Sequence, residues 1–196
     1  MAESDALLDD PLSKREIQAF YGAAAPVYDG ATVEFEAKAK GVALDAMARK
    51  PGETYLEVAV GTGNSVVQQV QQTGPEGIVG IDLTPGMLSL TRERLAAAGA
   101  ASLPLMLADA RFLPFPDDSF DCLFNSYMLD LIPTSEIDQI VSEFSRVLKP
   151  TGRCRPVHAQ PFLQTAGFTS VRRTYCGGDG NWPTEVVTAE APSPNQ

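Results

Sequence analysis

A chain of 196 residues, 44% apolar and 20% charged, has the make-up of a soluble globular protein. It is long enough for one sizeable core or two very small ones. Those proportions exclude a disordered chain, a collagen and a coiled coil, and no apolar run approaches the roughly 18 residues of a membrane span. With 15 basic and 25 acidic residues the formal charge is −10. That argues against nucleic acid as a general partner, because affinity there rests on neutralising phosphates. Glu3, Asp5, Asp9 and Asp10 are the opposite of a secretory leader's basic start. Cys122, Cys154 and Cys176 are too few and scattered for a disulfide framework, so they read as free thiols of a cytoplasmic protein.

In chain order, Ser13 to Tyr21 predicts a short helix, Ser13 its cap, with Ile17, Phe20 and Tyr21 on one side. Thr32 to Arg49 predicts a second helix, ended by the turn Lys50-Pro51-Gly52. Thr54 to Val60 is rich in β-formers and bounded by Gly61-Thr62-Gly63, so it reads as a buried strand. A helix follows over Asn64 to Gln72, then a strand over Gly77 to Leu83. Thr84 and Pro85 open a helix, as N-cap and first helical residue, that runs to about Ala98. Ser102 to Ala108 and Ser119 to Ser126 read as strands three and four. In Ser135 to Leu148 the residues Ile137, Ile140, Val141, Phe144, Val147 and Leu148 keep helical spacing. Strands alternating with helices predict a doubly wound, mostly parallel α/β sheet of Rossmann-like type.

The first strand, its loop and the second strand carry the chemistry. Gly61-Thr62-Gly63 turns into a helix, where small residues let a ligand approach the backbone. Asp82 lies 21 residues beyond Gly61, at the end of strand two. An acid there accepts the hydroxyl hydrogens of a ribose. A nicotinamide-binding domain offers the same triple, but two details disfavour it. Val66 stands where its third glycine belongs, and Glu57 puts a carboxylate beneath the loop, unwelcoming to a pyrophosphate. A ligand with an ammonium or sulfonium group suits Glu57 better; the plainer reading is a satisfied polar residue at a strand end.

The stretches YGAAAPVYD (Tyr21 to Asp29), YLEVAVGTGN (Tyr55 to Asn64), GIDLTPGML (Gly80 to Leu88), ADARFLPFPDDSFD (Ala108 to Asp121) and EFSRVLKPTGR (Glu143 to Arg153) form a co-linear series. With RPVHAQPFLQTAGFTSVRRTY they cover most of the chain. The series resembles class I S-adenosylmethionine-dependent methyltransferases of the ubiquinone/menaquinone C-methyltransferase-like group. The resemblance implies S-adenosyl-L-methionine as cofactor, with Gly61, Thr62 and Gly63 under its methionine part and Asp82 on the ribose. Leu83 and Met87 would flank the adenine, and Asp109 and Ala110 would meet its edge. Asn125 and Ser126 would face the sulfonium, and Tyr28 would close over the cofactor. Each has a plainer reading: Asp109 as a cap for the turn before Arg111, Met87 as helix core, Tyr28 as surface packing. Tyr127, Asp130 and the single histidine, His158, are candidate bases, needed where the acceptor must lose a proton. No His/Cys/Asp cluster has metal-ligand spacing, and no catalytic triad is visible.

After LKPTGR the family continues into an apolar fifth strand and a long insertion with a lid-like helix. Here Arg153 meets Cys154-Arg155-Pro156, and Thr151 to Pro156 holds no apolar run. Pro156 to Ala166 reads as the terminal helix, with Gly167 its C-cap. Phe168 to Tyr175 and Glu185 to Ala189 read as an antiparallel hairpin. The expectation is therefore one domain, shortened after Gly152: helices over 1–50, a cofactor-binding core over 51–153, a terminal helix and hairpin over 154–196. Strand five and the lid are expected to be absent. Strand four would then pair with the terminal hairpin, within the chain or across a homodimer, lest its edge stay bare. The function that follows is methyl transfer to a small or lipid-like acceptor. The alternative is a catalytically impaired cofactor-binding module acting through a partner.

Overall fold

A computed structural model describes residues 13–156, 163–164, 166–176 and 184–192. Among the described residues five α-helices, α1 (Lys14–Ala24), α2 (Tyr28–Met47), α3 (Asn64–Thr73), α4 (Pro85–Ala97) and α5 (Thr134–Val147), and a short 3-10 turn (Leu129–Leu131) accompany seven strands. The strands are β1 (Tyr55–Val58), β2 (Ile78–Asp82), β3 (Leu105–Leu107), β4 (Phe120–Asn125), β5 (Leu148–Pro156), β6 (Thr169–Cys176) and β7 (Thr184–Glu190). They form one sheet in the order β3-β2-β1-β4-β5-β7-β6. The first five are parallel, and β7 runs antiparallel to both β5 and β6.

Strand alternation divides the core into two layers. On one face Tyr55, Ile78, Cys122 and Phe124 pack against Ala43, Leu44 and Met47 of α2 and Val66 and Val70 of α3. On the other, Leu56, Val58, Ile81 and Leu123 pack against the buried stripe of α5 predicted from its spacing. Ser13 does cap α1, in a box in which Glu16 returns a bond to the Ser13 amide (2.8 Å). Phe20 leaves the expected apolar side and is exposed. Thr84 makes no side-chain cap; its own amide donates to Asp82 instead (2.8 Å).

Strand five is present, which corrects the expectation that it is missing. Its register with β4 jumps from Phe120↔Leu148 to Cys122↔Arg153, then runs evenly to Asn125↔Pro156. Pro150, Thr151 (φ 62°) and Gly152 form the bulge across that jump. A Cβ at Gly152 would lie 2.8 Å from the Lys149 carbonyl, so glycine is required there. Beyond the bulge the strand alternates rather than running apolar. Cys154 is fully buried on the α5 side, and the arginines on either side of it turn to the α2 side. Arg153 Nε donates to Met47 O (3.0 Å) and Arg155 Nε to Ala46 O (3.2 Å). Helix C-terminal carbonyls have no partner within their helix, and a cation suits that end of the dipole. Two arginines thus hold β5 where an aliphatic run was sought.

With β5 in place, β4 lies between β1 and β5. Its expected pairing with the terminal hairpin, and the homodimer across its bare edge, are both corrected: β7 pairs with β5 and β6. Of the expected terminal helix, Pro156 belongs to β5, Leu163 and Gln164 are helical, and 157–162, with His158, lie outside the described residues. Gly167 (φ 81°) ends that turn, its amide donating to Gln164 O (3.1 Å). Only six residues, 157–162, separate Pro156 from Leu163, so the chain has no room there for a long insertion.

Candidate functional site

The C-terminal ends of β1, β2, β3 and β4 open into a cavity of about 980 Å³, counting its mouth, walled on the far side by α1 and α2. It sits where parallel α/β sheets bind ligands.

At its floor, the β1–α3 loop meets Asp82. The Asp82 carboxylate accepts from the Gly61 amide (2.9 Å) on one oxygen and the Thr84 amide (2.8 Å) on the other. A carboxylate has about four lone-pair sites in all, and Asp82 lies on the cavity wall where a ligand hydroxyl can reach it. Burial raises the Asp82 carboxyl above its ordinary value, and the Gly61 and Thr84 amides, the Thr84 side chain and the Leu83 backbone moderate the shift. The two loop glycines serve different ends. Gly61 (φ 56°) faces open space, with nothing within 4 Å of where a Cβ would stand. Gly63 (φ 90°) lets Thr91 of α4 come so close that a Cβ would lie 3.0 Å from it. Gly63 is a packing residue and is absent from the cavity wall. Ala59 takes a left-handed conformation (φ 61°) just before the loop.

Glu57 is corrected in place. It is buried on the α2–α3 face of β1, where it accepts from Tyr55 Oη (3.0 Å) and from Ser65 Oγ, and it does not line the cavity. Burial pushes its carboxyl up to about 7, against the pull of those two hydroxyls and the Lys40 charge. Glu57 thus anchors the first turn of α3.

Leu83 and Met87 line the cavity beyond Asp82, and Gln18 of α1 donates to the Leu83 carbonyl (3.0 Å). At the β3 end stand Asp109 and Ala110. Asp109 caps the turn as the plainer reading had it: its Oδ1 accepts from the Arg111 amide (3.0 Å) and Nε (2.9 Å). Its Oδ2 accepts from Arg111 Nη2 (2.9 Å) and Lys14 Nζ (2.9 Å). Burial alone would raise its carboxyl, but the Arg111 and Lys14 bonds prevail and hold it at about 2.

At the β4 end Ser126 lines the cavity and Asn125 lies just behind it. Asn125 Nδ2 donates to Val58 O (2.9 Å), while its buried Oδ1 has no hydrogen-bond partner among the described residues. Tyr127 and Met128 follow on the wall, Tyr127 with a left-handed backbone (φ 52°). Tyr28 stands opposite on α2, its hydroxyl donating to Glu36 (3.3 Å) and its ring 5.7 Å from that of Tyr21. Burial, with Asp130, Glu36 and Asp82 nearby, pushes the Tyr21 phenol up to about 12, so it remains a donor.

Sequence reasoning passed over Asp29, Asn64 and Arg94. Asp29 accepts from Thr62 Oγ1 (2.6 Å) and Asn64 Nδ2 (3.1 Å), and its second oxygen pairs with Arg94. This joins α2, the glycine loop and α4. Lys40 was also missed; the four-residue spacing from Glu36 was the signal that could have found it. Among the described residues no group of three or more His, Cys, Asp or Glu is placed to hold a metal ion.

A Rossmann-like sheet with a glycine loop and a strand-end acid facing one cavity is the architecture of a nucleoside-ligand domain. Residues 56–152 match the family described as a methyltransferase domain. A demethylmenaquinone methyltransferase of Symbiobacterium thermophilum is 39% identical over 122 residues, 61% of this chain and 48% of the relative. An arsenite methyltransferase of Halobacterium salinarum is 34% identical over 122 residues, 62% of this chain and 30% of its own length. The chain thus spans half or less of these curated relatives. Among solved structures, the [4+2]-cyclase SpnF superposes with a TM-score of 0.82 at 14% identity, over 94% of this chain and 98% of the cyclase. That likeness is one of fold.

Proposed function

We propose that the chain binds S-adenosylmethionine and transfers its methyl group to a small or lipid-like acceptor. The observation that carries this is Asp82, a buried strand-end carboxylate on the cavity wall beside the open flank of Gly61. The residues present fit the cofactor. Asp82 accepts the ribose hydroxyls, Gly61 leaves room for the methionine part, Leu83 and Met87 hold the adenine faces. Ser126 and the uncommitted Asn125 oxygen lie toward the reacting end. When bound, the cofactor supplies a methyl group on a sulfonium, whose departure leaves a neutral sulfur and needs no acid. The protein's part is alignment and exclusion of water, with α1 and α2 as the covering wall. The named relatives support this reading, and the restored fifth strand removes the reason for an impaired binding module. Among the described residues no helix is long and apolar enough to cross a membrane; we place the protein in the cytoplasm on its free thiols.

The test is calorimetry and thermal shift with S-adenosylhomocysteine. Wild-type protein is expected to be stabilised by it and not by NAD or NADP. Asp82→Asn is expected to weaken binding by about 1.5–3 kcal/mol, the range for a charge-assisted hydrogen bond. Stabilisation by NAD alone, or unchanged affinity in a folded Asp82→Asn protein, would overturn the reading.

A further inference from the structure

Among the described residues the cavity wall holds two cationic side chains, one at its β3 end and one at its β4 end. Arg111 is spent at the β3 end on Asp109 and Glu136. Lys40 stands at the β4 end, its ammonium 5.7 Å from the centre of the Tyr127 ring. Its side chain is only 18% exposed. An ammonium has three donors; among the described residues this one donates to Glu36 alone (2.6 Å). Two donors therefore remain in a partly dehydrated wall, where an unsatisfied polar hydrogen is costly. At this end the cavity wall carries Tyr28, Tyr127, Met128 and Leu131 beside the polar Glu36 and Ser126. Glu36 is itself engaged twice, by Lys40 and by Tyr28, and the buried Glu57 carboxylate also feels the Lys40 charge, without a hydrogen bond to it.

We propose that Lys40 is a specificity residue for the methyl acceptor, and that the acceptor presents an anionic oxygen, a carboxylate or ionised hydroxyl, on an apolar body. The two spare donors take that oxygen, and the Tyr127 and Met128 wall takes the body. Glu36 holds the ammonium in place and competes with the ligand for it. This inference rests on the cofactor reading above, since that reading puts the methyl group at the β4 end.

The test uses two probes of one shape, 2-naphthoate and 2-naphthamide, titrated calorimetrically into the full chain with and without saturating S-adenosylhomocysteine. Wild-type protein is expected to prefer the carboxylate at least tenfold. Lys40→Met should abolish the preference while leaving S-adenosylhomocysteine affinity within twofold, and Lys40→Arg should keep it. Glu36→Gln, by removing the competing carboxylate, should tighten naphthoate binding several-fold, which a merely structural ion pair would not do. A preference that survives in Lys40→Met, or wild-type protein that binds neither probe or favours the amide, overturns the proposal. Loss of S-adenosylhomocysteine binding in the wild type would instead overturn the cofactor reading, and the cofactor-free titration still decides the role of Lys40.

Discussion

Two carboxylates show how surroundings divide one chemistry into two behaviours. Glu57 has two hydroxyl donors and no cation in hydrogen-bond contact, and burial lifts it to about 7 from an ordinary 4.5. The folded state therefore holds this proton more tightly than the unfolded chain does. The stability it contributes is complete below about pH 4.5 and is lost as pH rises toward 7, by on the order of 3 kcal/mol. Removing the titration with Glu57→Gln should raise stability relative to wild type by that order at pH 8 compared with pH 4.5. Urea unfolding at the two pH values checks it, and a difference that does not move with pH excludes it. Asp109 is the opposite case, held at about 2 with four donors on its two oxygens. If the adenine amino group is to bond there, Lys14 must leave. An exposed pair of this kind is worth roughly 0.2–1 kcal/mol. Lys14→Ala should accordingly tighten S-adenosylhomocysteine binding by about two- to fivefold; calorimetry showing weaker binding would mean that Lys14 itself touches the cofactor.

The first turn of α2 is fastened to the cofactor loop by a single side chain. Asp29 reaches Thr62, Asn64 and Arg94, which lie 33, 35 and 65 residues away in sequence. This carboxylate ties the loop both to the covering helix and to α4. Asp29→Ala should weaken S-adenosylhomocysteine binding about tenfold, or about 1.4 kcal/mol, and speed amide hydrogen exchange in both α2 and the Gly61–Asn64 turn. Unchanged exchange in the turn would uncouple them. Such a residue is invisible in sequence, because nothing local marks it. Glycine loops, strand-end acids and the helical stripe of α5 are local patterns, and each lies within a residue or two of its predicted place. Strand β5 escaped for a different reason. Its bulge carries Pro150 and Gly152, which read as a turn, and its α2-facing side is covered by guanidinium groups instead of aliphatic ones. Gly63 and Glu57 were recognised as special but assigned to the ligand, since sequence cannot tell which face of a strand or loop a side chain takes.

The continuity of the whole sheet turns on Arg155. Strand β5 is the joint between the parallel half and the antiparallel β7 and β6, yet it contributes few aliphatic side chains to the core. Arg155 is 9% exposed and binds three carbonyls: Ala46 O at the end of α2 (3.2 Å), Cys154 O within β5 (2.8 Å) and Ala189 O of β7 (2.9 Å). Burial lowers its pKa from the ordinary arginine value, but a guanidinium keeps its charge at any pH at which the protein folds. Replacing it with methionine keeps much of the volume and leaves three carbonyls without this donor. At roughly 1–3 kcal/mol for each that stays buried and unpaired, the loss should be about 3–5 kcal/mol, a large share of a typical net stability of about 5–15 kcal/mol. Lysine should recover only part of it, because its point charge does not match the planar fork that reaches three separate elements. The same change at Arg153, which is paired with Glu53 and less buried, should cost less. Urea unfolding of the three variants gives the order: Arg155→Met least stable, then Arg155→Lys, then Arg153→Met. A loss below about 1 kcal/mol for Arg155→Met would mean that water replaces the guanidinium without penalty, and that the two halves of the sheet are held together by the β5–β7 backbone pairing alone.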